Sequence, residues 1–259
     1  MTSYQTVLVE GDGPVRHLVL NRPEVHNAFN GQLVADITAV CRDLDADPSV
    51  RAVVVRGAGK SLSSGADLKA PRLTTTRAML ASKAGAAMFD VLTNLNAITI
   101  CCCHGFMIGG GGVLPLACDF RLGDPSIRLT LNEVSIGFNL TWHSMPALVT
   151  AVGPAKAKEM LIFGQEYGAD KLLALGFLNE VVPEGELVAK AEEYAARVAR
   201  QPPVPVMVTK ASINAYSKLA DRAIHHMDHL AVGFMSKSEN SRIARTTYFS
   251  DESPNYIEE

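Results

Sequence analysis

The sequence predicts an α/β protein, with a parallel-stranded core followed by a helical tail. Three observations carry this. Short apolar runs at Arg51–Val55, Ile98–Cys103 and Phe120–Leu122 have the length of strands and alternate with longer stretches of helical spacing. Strands and helices that alternate in this way build parallel βαβ units. Beyond about residue 140 the alternation stops, and nearly every periodic segment has helical spacing.

Taken in order, Gln5–Glu10 and Val15–Leu20 read as two strands joined at Gly11-Asp12-Gly13, a hairpin signal. Asn30–Leu44 places Leu33, Ile37, Val40 and Leu44 on one side of a helix. Arg51–Val55 is Val-rich and strand-like, and a Gly- and Ser-rich loop comes next, over Gly57–Gly65. Thr76–Leu95 is long, Ala-rich and helical; Ile98–Cys103 is a buried strand whose alternate residues face opposite sides. A short apolar helix is expected over Val113–Cys118, then a strand at Phe120–Leu122. In the tail, Pro154–Phe163, Ala169–Leu175, Gly185–Arg200, Pro205–Tyr216 and Asp221–Ser236 read as helices, with one strand at Asn179–Val182.

At 259 residues, with 47% hydrophobic and 20% charged residues, the chain has enough apolar material for a sizeable core. A net charge of −3 without a run of Lys or Arg argues against nucleic acid as a partner, because phosphate binding needs a concentrated basic face. No apolar stretch is long enough to span a bilayer, and no signal peptide is visible, so no membrane partner and a cytoplasmic location are expected. Cys41, Cys101, Cys102, Cys103 and Cys118 fit no zinc or disulfide spacing. They read as small hydrophobes in a reducing compartment, with a redox role as the alternative.

Three segments are candidates for chemistry. Gly109-Gly110-Gly111-Gly112 comes directly after an apolar strand. It serves either close backbone packing or a backbone N–H presented to an anion at a helix start. It is neither the Gly-x-Gly-x-x-Gly dinucleotide fingerprint in its usual context nor a phosphate-binding loop ending in Gly-Lys-Ser/Thr. Ser63-Ser64-Gly65-Ala66-Asp67-Leu68 is a loop in which Asp67 reads as a brace or helix cap. Glu133 is a lone acid in Leu129-Thr130-Leu131-Asn132-Glu133-Val134. It is either paired structurally or tuned for proton transfer. Trp142 and His143 come later, at a helix start or lining a pocket. His104, His225, His226 and His229 suggest no metal site.

In this order the segments resemble the crotonase superfamily, also called the enoyl-CoA hydratase/isomerase family. Asn21-Arg22-Pro23-Glu24-Val25-His26-Asn27-Ala28 looks like its Asn-Arg-Pro segment, Ser64–Leu68 its first oxyanion loop, and Ile108–Gly111 with Ala117-Cys118-Asp119 its second. Leu131-Asn132-Glu133 with Ile136-Gly137 looks like its catalytic acid segment, and Leu175–Pro183 like its late Gly-apolar-Val signature. The resemblance spans residues 5 to 250 and implies a ββα spiral core over residues 1–195. A helical region over 196–259 would then serve oligomerisation and active-site cover.

The same resemblance implies that the Ala66 and Gly110 N–H groups form an oxyanion hole and that Glu133 is the acid/base. It places Val25, Ala28, Ala66, Asp67, Leu68 and Lys69 along the coenzyme and Lys69 or Arg22 near its phosphates; Val113 and Trp142 are the further candidates for substrate contact, Trp142 with helix-start packing as its alternative. The substrate would be an acyl-CoA thioester, with coenzyme A present only as part of it and no metal or permanent cofactor. A homotrimer or homohexamer is implied. Hydratases of the family carry a second Glu where this chain has Val113, and their later Pro-Gly-rich stretch is replaced by Asn139-Leu140-Thr141-Trp142-His143. Both departures resemble the family's single-acid Δ3,Δ2-enoyl-CoA isomerases. Hydratase, decarboxylase or hydrolase activity, or thioester binding without turnover, are the alternatives.

Overall fold

A computed structural model describes residues 4–67, 73–250 and 253–258. The hairpin forms as β1 (Val7–Glu10) and β2 (Val15–Leu20), paired antiparallel. The first strand starts two residues later than its hydrophobic pattern suggests. The backbone N–H groups of Gln5 and Thr6 donate instead to the carboxylate of Asp36, at 3.0 and 2.8 Å. Helix α1 (Gly31–Asp45) begins where Asn30 caps it, its side chain accepting from the Leu33 N–H at 2.8 Å. The four periodic residues expected to face inward, Leu33, Ile37, Val40 and Leu44, are buried.

β3 (Ala52–Gly57), α2 (Thr75–Thr93) and β4 (Ile98–Cys103) are next, with β3 and β4 parallel. Alternation along β4 is realised in the packing. Cys101 and Cys103 join the larger core, and Ile98, Ile100 and Cys102 join a second cluster on the opposite face. All five cysteines are buried, and burial pushes the Cys41, Cys101 and Cys102 thiols up, as expected of inert core residues.

Two short strands have no counterpart in the sequence pattern, β5 (Phe106–Ile108) and β7 (Arg128–Thr130), which pair parallel as a separate two-stranded sheet. Between them lie α3 (Gly110–Val113), a 3-10 turn at Leu114–Ala117 and β6 (Phe120–Gly123). The helix expected over Val113–Cys118 therefore begins three residues earlier and tightens at Leu114. Pro115 there lacks the N–H that a continuing α-helix would use.

The tail comprises α4 (Met145–Val152), α5 (Pro154–Phe163), α6 (Ala169–Ala174), β8 (Glu180–Val181), α7 (Leu187–Ala199), α8 (Pro203–Ser217), α9 (Arg222–His225), α10 (Asp228–Met235) and α11 (Glu239–Thr247). The single helix expected over Asp221–Ser236 is two. The break lets Asp228 turn its carboxylate toward the His143 N–H, 2.7 Å away. The main sheet has the order β1-β2-β3-β4-β6-β8, parallel except for the hairpin. α1 and α2 contribute to the larger core, and α7 packs through Leu187, Ala191 and Ala195 into the cluster on the other face. This mixed α/β architecture is the one the sequence predicts. Among the described residues, no helix is long and apolar enough to cross a membrane.

Candidate active site

Three backbone segments run side by side. β5 and β7 are parallel, so Gly109 and Leu131 leave them at the same end, and the Gly109 N–H donates to Thr130 O at 2.9 Å. Ser63 bridges in parallel to Met107, which brings the Ser63–Asp67 loop alongside. The C-terminal ends of parallel strands are where open α/β sheets gather ligands. Here that rule places Ala66, Gly110 and Glu133 in one neighbourhood.

The Ser63–Asp67 loop is hung from the segment around residue 27. Asn27 is fully buried and donates to Ala58 O and Ser61 O, both at 2.9 Å, and its Oδ1 accepts from the Arg22 N–H at 2.8 Å. The Ser63 hydroxyl donates to Asn27 O at 2.8 Å, and Ser64 N–H donates to His26 O at 2.9 Å. Phe29 and Ala66 form a parallel bridge, with Phe29 N–H to Gly65 O at 2.7 Å and Asp67 N–H to Phe29 O at 2.9 Å. That pattern leaves the intervening Ala66 N–H pointing away from Phe29.

Gly65 has φ +84°, and a Cβ there would lie 2.3 Å from Ile108 O and 3.7 Å from Gly110 N. Only glycine permits this approach. Gly110 is the first residue of α3, so its N–H has no acceptor within the helix. Among the described residues, neither the Ala66 nor the Gly110 N–H donates to a protein acceptor.

Glu133 reaches the same place. A Cβ on Gly109 would stand 3.2 Å from Glu133 Oε1, and Oε2 is buried with no hydrogen-bond partner among the described residues. Burial pushes its pKa from the ordinary 4.5 to about 7; a hydrogen bond to its own backbone acts the other way and is weaker. Such a carboxyl group is a proton acceptor matched to neutral pH. The alternative, a structurally paired Glu133, finds no partner for this oxygen.

Trp142 packs edge-to-face on Phe29, with ring centroids 5.2 Å apart, and its six-membered ring lies 3.1 Å from where a Gly110 Cβ would stand. It therefore borders the site. Val113 closes α3 and is buried in the larger core. Val25 and Ala28 flank the loop, and Val25 O accepts from Ser64 Oγ at 3.3 Å. Asp67 acts as the brace its sequence context suggested, since its carboxylate pairs with Arg22 at 3.0 Å. Arg22, considered for a place near the phosphates, makes this pair with its side chain 15% exposed. Its guanidinium also donates to Ala28 O, and so ties two loops together. Leu68 and Lys69 lie outside the described residues.

Several contacts around the site join residues far apart in the sequence, which gave no sign of them. Phe29 carries both the Ala66 bridge and the Trp142 contact. Asn132 Nδ2 donates to Tyr248 Oη at 2.8 Å across 116 residues. His143 Nδ1 lies 2.9 Å from Asp90 Oδ2, and its ring stacks on His225 at 3.9 Å. No group of three His, Cys, Asp or Glu among the described residues is arranged to hold a metal ion. A cleft of about 750 Å³ lies elsewhere, between residues 116–121, α2 and α8, and is lined by none of Ala66, Gly110 or Glu133. Geometry and chemistry place the candidate site at those three residues rather than in that cleft.

The family model described as enoyl-CoA hydratase/isomerase matches residues 10–258. Over 210 residues the chain is 31% identical to a short-chain-enoyl-CoA hydratase of Clostridium acetobutylicum, covering 80% of each. It is 26% identical to a crotonyl-CoA hydratase of Syntrophomonas wolfei, over 98% of this chain and 99% of that one. A crystal structure of an enoyl-CoA hydratase from Mycobacterium avium subsp. paratuberculosis shares the fold, with a TM-score of 0.88 at 22% identity over 99% of this chain and 100% of the other.

Proposed function

The chain belongs to the enoyl-CoA hydratase/isomerase family of the crotonase superfamily, whose members transform acyl-CoA thioesters, and on that premise we propose that it is a Δ3,Δ2-enoyl-CoA isomerase. The observation that carries this reading is Glu133, whose Oε2 has no hydrogen-bond partner among the described residues, beside two amides that donate to no described acceptor, with Val113 where the family's hydratases have their other acid. The thioester carbonyl oxygen accepts from the Ala66 and Gly110 N–H groups. Glu133 removes a proton from C2, and the negative charge moves onto that oxygen. Fixed N–H donors stabilise this charge more in the transition state than in the ground state, which is what accelerates the step. Glu133 then returns the proton at C4, and the double bond ends in conjugation with the thioester. One acid suffices, and no water is consumed.

Coenzyme A enters only as part of the substrate, along Val25, Ala28 and Ala66. Hydration is the second reading, favoured by the names of the relatives from Clostridium acetobutylicum and Syntrophomonas wolfei. It needs a group to hold and activate water, and a valine side chain has neither donor nor acceptor. The test is to supply a 3-enoyl-CoA and a 2-enoyl-CoA separately. Conjugation of the first, with no 3-hydroxyacyl-CoA from the second, is expected. Hydration of the second as fast as isomerisation of the first would replace this reading with the hydratase one. Turnover of neither would direct attention to decarboxylation, hydrolysis or binding alone.

A further inference from the structure

Trp142 is the chain's only tryptophan, and its backbone sits at φ +61°, with His143 next at φ +58°. Two consecutive bulky residues in the left-handed region are strained and persist only where their surroundings hold them. Here the hold is on His143. Its N–H donates to Asp228 at 2.7 Å, Nδ1 meets Asp90 at 2.9 Å, and its ring stacks on His225. Together these contacts drive the preceding indole into the gap between α2 and the first turn of α3. A Cβ on Gly85 of α2 would lie 2.1 Å from indole Nε1, and one on Gly110 would lie 3.1 Å from Cζ3. The indole is thus wedged where α2 faces the amide assigned to the thioester oxygen, yet Trp142 remains only half-buried.

We propose that Trp142 is a specificity-determining residue that closes the acyl end of the site, so that the enzyme takes acyl-CoA thioesters of about four carbons in preference to long-chain ones. This rests on the assignment of Ala66 and Gly110 as the thioester site. A carbonyl carbon held by those amides has its first acyl carbons beside Glu133. Atoms further along would need the space that the indole fills between α2 and Gly110. The ring itself is held by its edge-to-face contact with Phe29 and by the close approach of Gly85 and Gly110 on either side, while the contacts on His143 fix the backbone next to it. Gly85 records the same arrangement from the other side, since any larger residue there would expel the ring.

The experiment measures kcat/KM for 3-enoyl-CoA substrates with four, eight and twelve acyl carbons, and calorimetric affinity for the matching saturated acyl-CoAs. Wild type is compared with Trp142→Ala and with Trp142→Phe, which keeps an aromatic contact on Phe29. Wild type should favour four carbons over twelve by roughly tenfold or more, the scale on which a hydrophobic pocket discriminates. Trp142→Ala should erase or reverse that ratio, and Trp142→Phe should fall between. Tryptophan fluorescence, excited selectively over the tyrosines, reports in wild type from Trp142 alone, so butanoyl-CoA should perturb it. Wild type that accepts twelve carbons as well as four, or folded variants that keep its ratio, would overturn the proposal. Graded binding without turnover would sink the isomerase reading and leave this one standing. Binding of none of the thioesters would sink both.

Discussion

At the scale of single residues, Glu133 carries two measurable consequences of its burial. Glu133→Gln should lower kcat/KM by about 10²–10⁴-fold, the usual contribution of a positioned base. Wild-type kcat/KM should rise with pH through about 7, because the base must first lose its proton. A limb near the ordinary carboxylate value would contradict the burial argument. The same shift acts on stability with a definite sign. The folded pKa lies above the unfolded one, so the folded state holds the proton more tightly. Stability is therefore lost as pH rises from 4.5 through about 7. The shift corresponds to about 3 kcal/mol held against the charged form. Glu133→Gln should be more stable than wild type at pH 8 by up to about that amount and nearly equal to it at pH 4, in denaturant titrations at both. Equal differences at the two pH values would refute this. The acid itself was legible as a lone carboxylate among apolar residues. That its Oε2 has no partner was not, because partnership depends on residues distant in sequence.

Among the elements, the long periodic ones were readable and the short ones that build the site were not. β4 and α1 announce themselves through a six-residue run in which only Thr99 is polar and through a capped apolar stripe. β5 and β7 have three residues each, too few for a period to show, yet their parallel pairing sets Gly109 beside Glu133. α11 is mostly polar, and so gives little apolar pattern to read. It packs its Ser241 backbone against Gly137, and the residue that ends it, Tyr248, accepts from Asn132 next to Glu133. This gives the C-terminal region a hold on the turn that carries Glu133. Tyr248→Phe removes only the hydroxyl, at a cost of about 0.5–1.5 kcal/mol in stability. We expect kcat to fall several-fold with KM little changed, because the turn carrying Glu133 loosens while the thioester site does not. A change confined to KM would assign Tyr248 to substrate binding instead.

For the whole molecule, α8 presents an inverted pattern that bears on assembly. Its one buried residue is Lys210, whose Nζ donates to Ala97 O at 2.8 Å and to Asp119 at 2.7 Å. Apart from Val206, which packs on the second cluster, its large apolar residues face outward: Val204 is 64% exposed, Ile213 61% and Tyr216 80%, and Leu219 just beyond is 77% exposed. The sequence suggested apolar faces in the tail, but a lysine as the inward anchor could not be read from periodicity. Removing one member of a buried ion pair typically costs about 3–5 kcal/mol, so the Lys210–Asp119 pair holds the helix in this orientation. With the anchor satisfied, the outward Val, Ile, Tyr and Leu side chains form a surface that a monomer would leave in water, and such surfaces mark interfaces. We therefore expect a homo-oligomer, for which the family resemblance implies a trimer or hexamer. Light scattering should report a multiple of 27.8 kDa at micromolar concentration. Val204→Asp with Val208→Asp places two charges one turn apart on the outward face, on the side of α8 away from Lys210, and should lower the mass toward that of one chain while circular dichroism stays unchanged. A wild-type mass of a single chain, or a double variant that assembles as wild type does, would show that this face is not the contact.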